Sequence, residues 1–175
     1  MPPSIDDIRK ELKTLPAKQV LDLTLRLARF KKENKELLSY LLFDSENEQG
    51  YIESLQIEMD ESFAEIKKGP AAPIKKQLRK MIRMMNRQIK YIGTKSSAVE
   101  LMMHFCKGIL AHEHDLLSIN SVATMYQQQL KKISRLLPLL DEDLQHDYSR
   151  KLKLEAMKVP VKNNSRWWRI PRRKS

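Results

Sequence analysis

Apolar residues recur at intervals of three and four along almost the whole chain, and no run alternates with the period of two typical of a half-buried strand. Residues at these intervals share one face of an α-helix, so the spacing predicts amphipathic helices. The chain has only 4 glycines, which argues against hairpin-rich β folds, glycine-rich phosphate loops and dinucleotide-binding turns. We predict an all-α protein of about eight helices, at residues 4–15, 16–30, 33–43, 51–66, 73–92, 97–111, 119–137 and 141–152.

The helix ends are predicted from capping residues. Ser4 can cap the first helix. Residues 44–50 are expected to form a polar turn, and the cations, glycine and proline of residues 67–70 predict a glycine-capped end for the fourth helix. The spacing of residues 97–100 is that of a capping box, which starts the sixth helix there. Because the sixth helix is apolar on more than one side, we expect it to be the most buried.

Length and composition narrow the class of protein. A chain of 175 residues with 41% hydrophobic and 31% charged residues can bury a sizeable core and is neither disordered nor membrane-spanning in composition. Its longest nearly unbroken apolar stretch, residues 37–43, is far shorter than the ~20 residues that cross a bilayer. With no export leader recognised at the start and a single cysteine, Cys106, we expect a cytoplasmic protein.

Short connections predict that consecutive helices pack as sequential antiparallel pairs. Two arrangements satisfy this rule, a short helical stack of HEAT-like type and an irregular helix bundle, and the sequence leaves both open. We expect one all-helical domain over residues 1–157 and a basic, tryptophan-containing extended tail over residues 158–175.

The formal net charge of +11 is concentrated in two segments. Residues 67–111 contain 11 basic residues and one acidic residue, and residues 150–175 contain 10 basic residues and one acidic residue. Residues 1–66 are instead net negative, with 9 basic and 14 acidic residues. A charge distribution of this kind bears on association with acidic partners rather than on the fold.

The fifth predicted helix has the most specific pattern in the chain. At about 100° per residue its apolar residues share one face, and six cations fall within about 100° of arc on the opposite face. Two interpretations stay open: a solvated surface that the acidic fourth helix neutralises, or a site for a polyanion or an acidic protein. We call this set the basic ridge; it consists of Lys76, Arg79, Lys80, Arg83, Arg87 and Lys90.

Both tryptophans of the chain lie in the predicted tail, among arginines. The tail could fold back and bury a tryptophan in the body, or stack the bases of single-stranded nucleic acid while its arginines hold phosphates. It could also bind a protein groove or a membrane surface, although we do not favour peripheral membrane contact. The candidate residues are Arg166, Trp167, Trp168, Arg169, Arg172 and Arg173.

No catalytic or metal-binding pattern is present in the sequence. His112 and His114 lie two apart, so they point to different sides of a helix, and no zinc-ligand spacing or HExxH motif occurs. His104 and Cys106 are interpreted as core residues of the sixth helix. We therefore predict no enzyme, no metal and no cofactor.

These observations favour a non-enzymatic helical interaction or scaffold module that uses the basic ridge to bind an acidic partner. The alternative is a nucleic-acid-binding protein in which the ridge contacts phosphates and the tail stacks on bases. The sequence leaves the choice between an acidic protein surface and nucleic acid open.

Overall fold

The computed structural model describes residues 2–157, and all the regular secondary structure in this range is helical. The all-α prediction is confirmed. None of the helices in this range has an apolar stretch long enough to cross a membrane. The helices are α1 (Ile5–Thr14), α2 (Ala17–Phe30), α3 (Lys32–Ser39), α4 (Glu48–Ala64), α5 (Ala71–Ile92), α6 (Lys95–Ala111), α7 (Asn120–Leu136) and α8 (Glu142–Met157), with a π-helical turn at Tyr40–Asp44 and 3₁₀ turns at Ser45–Asn47, Leu116–Ser118 and Leu137–Leu139.

The chain divides between Glu46 and Asn47 into two compact units. We call the part up to Glu46 the N-terminal unit; it contains α1, α2, α3 and the π-helical turn. The C-terminal unit begins at Asn47 and contains α4 to α8. The single domain expected over residues 1–157 stays a prediction.

Local chemistry fixes the start of the N-terminal unit. The hydroxyl of Ser4 accepts a hydrogen bond from the backbone N–H of Asp7, and the Asp7 carboxylate accepts one from the backbone N–H of Ser4. These two reciprocal bonds form a capping box. Hydrogen bonds from the Ser4 hydroxyl and then from its backbone N–H lower the pKa of Asp7. The Ser4 cap is therefore confirmed. Further along the unit α2 packs against α3, and the side-chain amide of Asn34 donates to the carbonyl of Leu27 at 2.9 Å.

The apolar faces of the N-terminal unit stay largely in solvent, whereas the apolar face of an amphipathic helix is usually directed toward a core. No residue of α1, α2 or α3 is buried, and Tyr40 is the one buried side chain among residues 2–46. The reason lies in the geometry of α2, which is apolar over more than half of its circumference. Its neighbour α3 covers only part of that surface.

Helix α6 lies at the centre of the C-terminal unit and contacts α4, α5, α7 and α8. Its buried residues run from Ser97 to Ile109, so the prediction that it is the most buried helix is confirmed. Helices α4 and α6 are parallel, because Gln56 bonds Glu100 and Asp60 bonds His104, both pairs being 44 residues apart. This arrangement makes α6 the scaffold on which the other helices of the unit are positioned.

Helix α8 also packs on α6. Its Tyr148 is partly buried, and this burial raises the pKa of the phenol. The carboxylates of Glu100 and Asp147 raise the same pKa further, because negative charge nearby disfavours the phenolate.

Several predicted helix ends are wrong. Helix α6 begins at Lys95 with Thr94 as its N-cap, and Ser97 is buried inside the first turn rather than capping it. The expected polar turn at residues 44–50 is mostly helical. Helix α4 ends at Ala64 without the predicted glycine cap. Its C-cap is Glu65, in a right-handed conformation, and the one left-handed glycine among the described residues is Gly93, at the end of α5.

The start of α6 is held by a carboxylate from α4. Glu48 accepts hydrogen bonds from the hydroxyls of Thr94, at 2.7 Å, and Ser97. A negative charge at this end of α6 is also stabilised by the helix dipole. This tertiary contact supplies what a local capping box would otherwise provide.

We expect Glu48→Ala to lower the free energy of unfolding by about 1–2 kcal/mol, because two hydroxyls in a partly buried cluster lose their acceptor. Glu53→Ala, on the exposed side of the same helix, is the control and is expected to change it by less than about 0.5 kcal/mol. Urea unfolding followed by circular dichroism measures both. Equal losses for the two variants would contradict a role for the Glu48 cluster.

Candidate functional site: the basic ridge of α5

The basic ridge lies on a helix whose opposite face is core. The buried face of α5 packs against α4, α6 and α7. Two glutamines near its edge fix the helix to α4: Gln77 donates to the carbonyl of Ser62 at 2.9 Å, and Gln88 accepts from the hydroxyl of Tyr51 at 2.8 Å. The helix is therefore held in one rotation. Its buried residues are Ile74, Leu78, Met81, Met85, Gln88 and Ile92.

The six cations of the ridge project from the other face. Five of them are exposed, and the sixth, Arg87, is half-buried. From Lys76 to Lys90 the ridge is about 21 Å long at 1.5 Å per residue. The structure thus brings together on one surface the residues that the helical wheel grouped.

The acidic fourth helix does not form ion pairs with the exposed part of the ridge. Among residues 2–153, no carboxylate lies within 4.0 Å of the charged nitrogens of the five exposed cations. Asp60 of α4 instead bonds His104 of α6 at 2.7 Å, and Glu48 bonds the first turn of α6. These α4 carboxylates therefore serve the α4–α6 contact. The five cations are Lys76, Arg79, Lys80, Arg83 and Lys90.

The ridge has an acidic border on one side. Tyr51 and Ser62 mark the face of α4 that contacts α5, and helical spacing puts Glu58 and Glu65 along the outer edge of that face. Both glutamates are exposed. The positive surface is consequently bounded by two exposed carboxylates on the side of α4.

Repulsion among the cations of the ridge destabilises helix α5. Like charges three and four residues apart destabilise a helix by a few tenths of a kcal/mol per pair. An oppositely charged partner along the ridge would remove this repulsion, since each of its carboxylates would lie between neighbouring cations.

The predicted tail site lies outside the residues that the structure describes. This applies to Arg166, Trp167, Trp168, Arg169, Arg172 and Arg173 alike. The three interpretations of the tail stay predictions.

The histidines of the C-terminal unit have structural partners. His104 was expected in the core, but its side chain is 24% exposed and pairs with Asp60, because α4 presents a carboxylate to this side of α6. Cys106 is fully buried, as predicted. A ring nitrogen of His112 lies 3.3 Å from the carbonyl oxygen of Phe63 and its ring lies beside that of His114. Within the part of the chain described, no three His, Cys, Asp or Glu side chains converge to hold a metal ion.

A second candidate surface, the exposed apolar face of the N-terminal unit, is not predicted from the sequence. The signal was present in α2, where Leu21 and Leu25 lie outside the stripe formed by Val20, Leu23 and Leu27. Helix α2 packs chiefly against α3, and one apolar stripe would be enough for that contact, so Leu21 and Leu25 indicate a further contact surface.

Comparisons with protein-family models, curated proteins and solved structures find no match to this chain.

Proposed function

We propose that this protein is a non-enzymatic helical interaction module that binds an acidic protein segment through the basic ridge. One observation supports this function above all: six cations share one face of α5, and five of them have no carboxylate at ion-pair distance among the described residues. A surface of one sign attracts and orients a partner of the opposite sign.

The linear arrangement of the ridge along one helix favours an elongated partner. An α-helix with its side chains is about 10–12 Å across and can lie along a row of cations. Carboxylates spaced three and four apart on such a helix would meet cations spaced in the same way. A nucleic-acid duplex, with charged backbones on both strands, would extend over the border of Glu58 and Glu65 and be repelled there.

The ridge is also rigid before binding. Because α5 buries its apolar face in the C-terminal unit, the cations need no folding step to line up. Preorganisation of this kind lowers the entropic cost of association.

For the architecture, we propose the irregular bundle rather than the HEAT-like stack. In support, α6 contacts helices on several sides instead of one partner helix.

Nucleic acid is the second candidate, and one observation favours it. Between Lys76 and Lys90 the exposed arc of α5 consists of cations only, with no aromatic or aliphatic side chain to act as a hot spot for a protein partner. Phosphate binding requires no such residue.

The test measures binding of the full chain to a helical peptide of about 16 residues with glutamates at every third and fourth position. We expect Arg79→Glu with Arg83→Glu to weaken binding about 10- to 30-fold, since each exposed ion pair contributes ~0.2–1 kcal/mol and reversal replaces attraction with repulsion. The control reverses Lys67 and Lys68, two exposed cations between α4 and α5, so that the net charge changes equally. Fluorescence anisotropy at low and physiological salt gives the affinities.

Equal weakening in both double variants would show that only net charge matters and would contradict the ridge. A single-stranded oligonucleotide of about 20 nucleotides, measured in parallel, tests the second candidate. Tighter binding of the oligonucleotide than of the peptide, lost selectively in the ridge variant, would replace the acidic protein with nucleic acid as the partner.

A further inference from the structure

We propose that two copies of this chain associate through their N-terminal units, each copy burying the exposed apolar surface of the other. This inference goes beyond the binding function proposed for α5 and concerns a different unit of the molecule.

The surface in question is large for an unpartnered face. Among residues 2–46, twelve leucine, isoleucine and phenylalanine side chains are exposed, and the most exposed are Ile5 at 73%, Phe30 at 75% and Phe43 at 79%. At ~150–250 Å² for an aromatic side chain and less for leucine or isoleucine, these exposures sum to roughly 1,000 Å² of apolar surface over α1, α2, α3 and the π-helical turn. A stable interface of standard size takes about 800 Å² from each partner, whereas isolated proteins rarely expose apolar patches beyond ~300–600 Å².

The N-terminal unit also has almost no buried core of its own. It has one buried side chain, Tyr40, among residues 2–46. Its sequence contains no cysteine, so no disulfide constrains it. Units of this size usually need a disulfide, a metal or oligomerisation to stay folded. Burial against a second copy would supply the missing core.

The unit provides both halves of a self-complementary contact. A groove of about 350 Å³ between α2, α3 and the π-helical turn has a mostly apolar lining, with Asn34 and Thr24 as its polar members; the other lining residues are Leu27, Ala28, Leu37, Leu38 and Leu41. The apolar stripe of α1, formed by Ile5, Ile8 and Leu12, does not line this groove and is exposed. The α1 stripe of one copy can therefore occupy the α2–α3 groove of the other. Repeating this contact by two-fold symmetry gives a closed dimer.

The charge of the unit is compatible with a partner identical to itself. Residues 1–46 contain 9 basic and 8 acidic residues, so two such units do not repel each other. A strongly acidic or basic partner would gain little electrostatic attraction to this nearly neutral unit.

The experiment measures the mass of the full chain in solution by light scattering and sedimentation over a range of concentrations. We expect the wild type to form a dimer of twice the 20.6 kDa chain mass. Ile8→Glu in the stripe and Leu27→Glu in the groove are each expected to weaken dimerisation at least about 100-fold, because each buries an unpaired carboxylate. Ile57→Glu, on the exposed side of α4 and 60% exposed in the wild type, is the control and is expected to stay dimeric.

Mixing the two variants tests the pairing itself. The Ile8→Glu chain keeps an intact groove and the Leu27→Glu chain keeps an intact stripe, so an equimolar mixture is expected to recover one of the two contacts and form heterodimers. Circular dichroism of each variant checks that its helix content is unchanged.

A wild type that stays monomeric at high micromolar concentration would overturn the proposal and assign the apolar face to another partner. So would a mixture that dimerises no better than either variant alone, since this would show that the stripe and the groove do not meet. Dimers with all variants would likewise place the interface elsewhere.

Discussion

Replacing Gly108 with valine is expected to lower the free energy of unfolding by about 3 kcal/mol or more. Gly108 lies in α6 against the ring of Phe63 from α4, and a Cβ at this position would overlap three atoms of that ring. Phe63 is buried and its ring centroid lies 5.7 Å from that of Phe105, so displacing the ring disturbs this packing even though a groove borders it. Alanine should cost less, since its better helix propensity offsets part of the overlap.

Gly69→Val is the matched control, because a Cβ there would meet only the carbonyl of Lys67 at 3.9 Å. We expect it to change stability by less than about 0.5 kcal/mol in urea unfolding. In the Gly108→Ala background, Phe63→Leu should cost less than it does in the wild type, because the smaller side chain removes the overlap. Additive losses, or a loss for Gly108→Val no larger than that of the control, would contradict the close approach of α4 and α6.

The basic ridge could be grouped from sequence because helical periodicity is a local property. Once the apolar residues of α5 fix its buried face, the opposite face follows from 100° per residue. The absence of ion pairs between α4 and the five exposed cations, within the described residues, could not be predicted in this way. It depends on the rotation of α4, which the contacts of Tyr51, Ser62 and Asp60 determine.

The errors at the start of α6 have a similar origin. Ser97 and Glu100 have the spacing of a capping box, but the hydroxyl of Ser97 bonds Glu48, which is 49 residues away. A pattern over four residues does not contain that partner. His104 was misplaced for the same reason, since Asp60 is 44 residues away.

The N-terminal unit shows a different limit of sequence interpretation. The stripe of α1 and the broad apolar face of α2 follow from the spacing of their aliphatic residues. The spacing predicts that these faces are buried, but it does not say whether the surface that covers them belongs to the same chain or to another one. Amphipathicity alone therefore over-predicts burial within one copy.

The two proposed surfaces, one apolar and one basic, could act together in one assembly. Association through the N-terminal units would place two basic ridges in one assembly, so a partner with two acidic segments could bind both. The second contact would then form at high effective concentration, and the overall affinity would exceed that of a single ridge. A chain made monomeric by Ile8→Glu should retain its affinity for a short acidic peptide, which keeps the two proposals separable.

We expect Leu78→Ala to lower the free energy of unfolding by about 2–5 kcal/mol, through lost burial and the cavity left behind. Leu78 is fully buried beneath the ridge, on the face by which α5 packs against the rest of the C-terminal unit. Ile57→Ala, at an exposed position of α4, is the control and should cost less than about 0.5 kcal/mol. Urea unfolding with an unchanged slope would assign the loss to the folded state.

The Leu78→Ala variant also distinguishes the contribution of α5 to stability from the contribution of its charges to binding. Under conditions where Leu78→Ala stays folded, its affinity for the acidic peptide should remain within about twofold of the wild type, because all six cations keep their places. Arg79→Glu with Arg83→Glu should show the converse, with stability retained and affinity lost. A loss below about 1 kcal/mol for Leu78→Ala would contradict the packing of this face, because a well-filled leucine site cannot collapse without cost. A tenfold loss of affinity in the folded variant would show that binding depends on more than the row of charges.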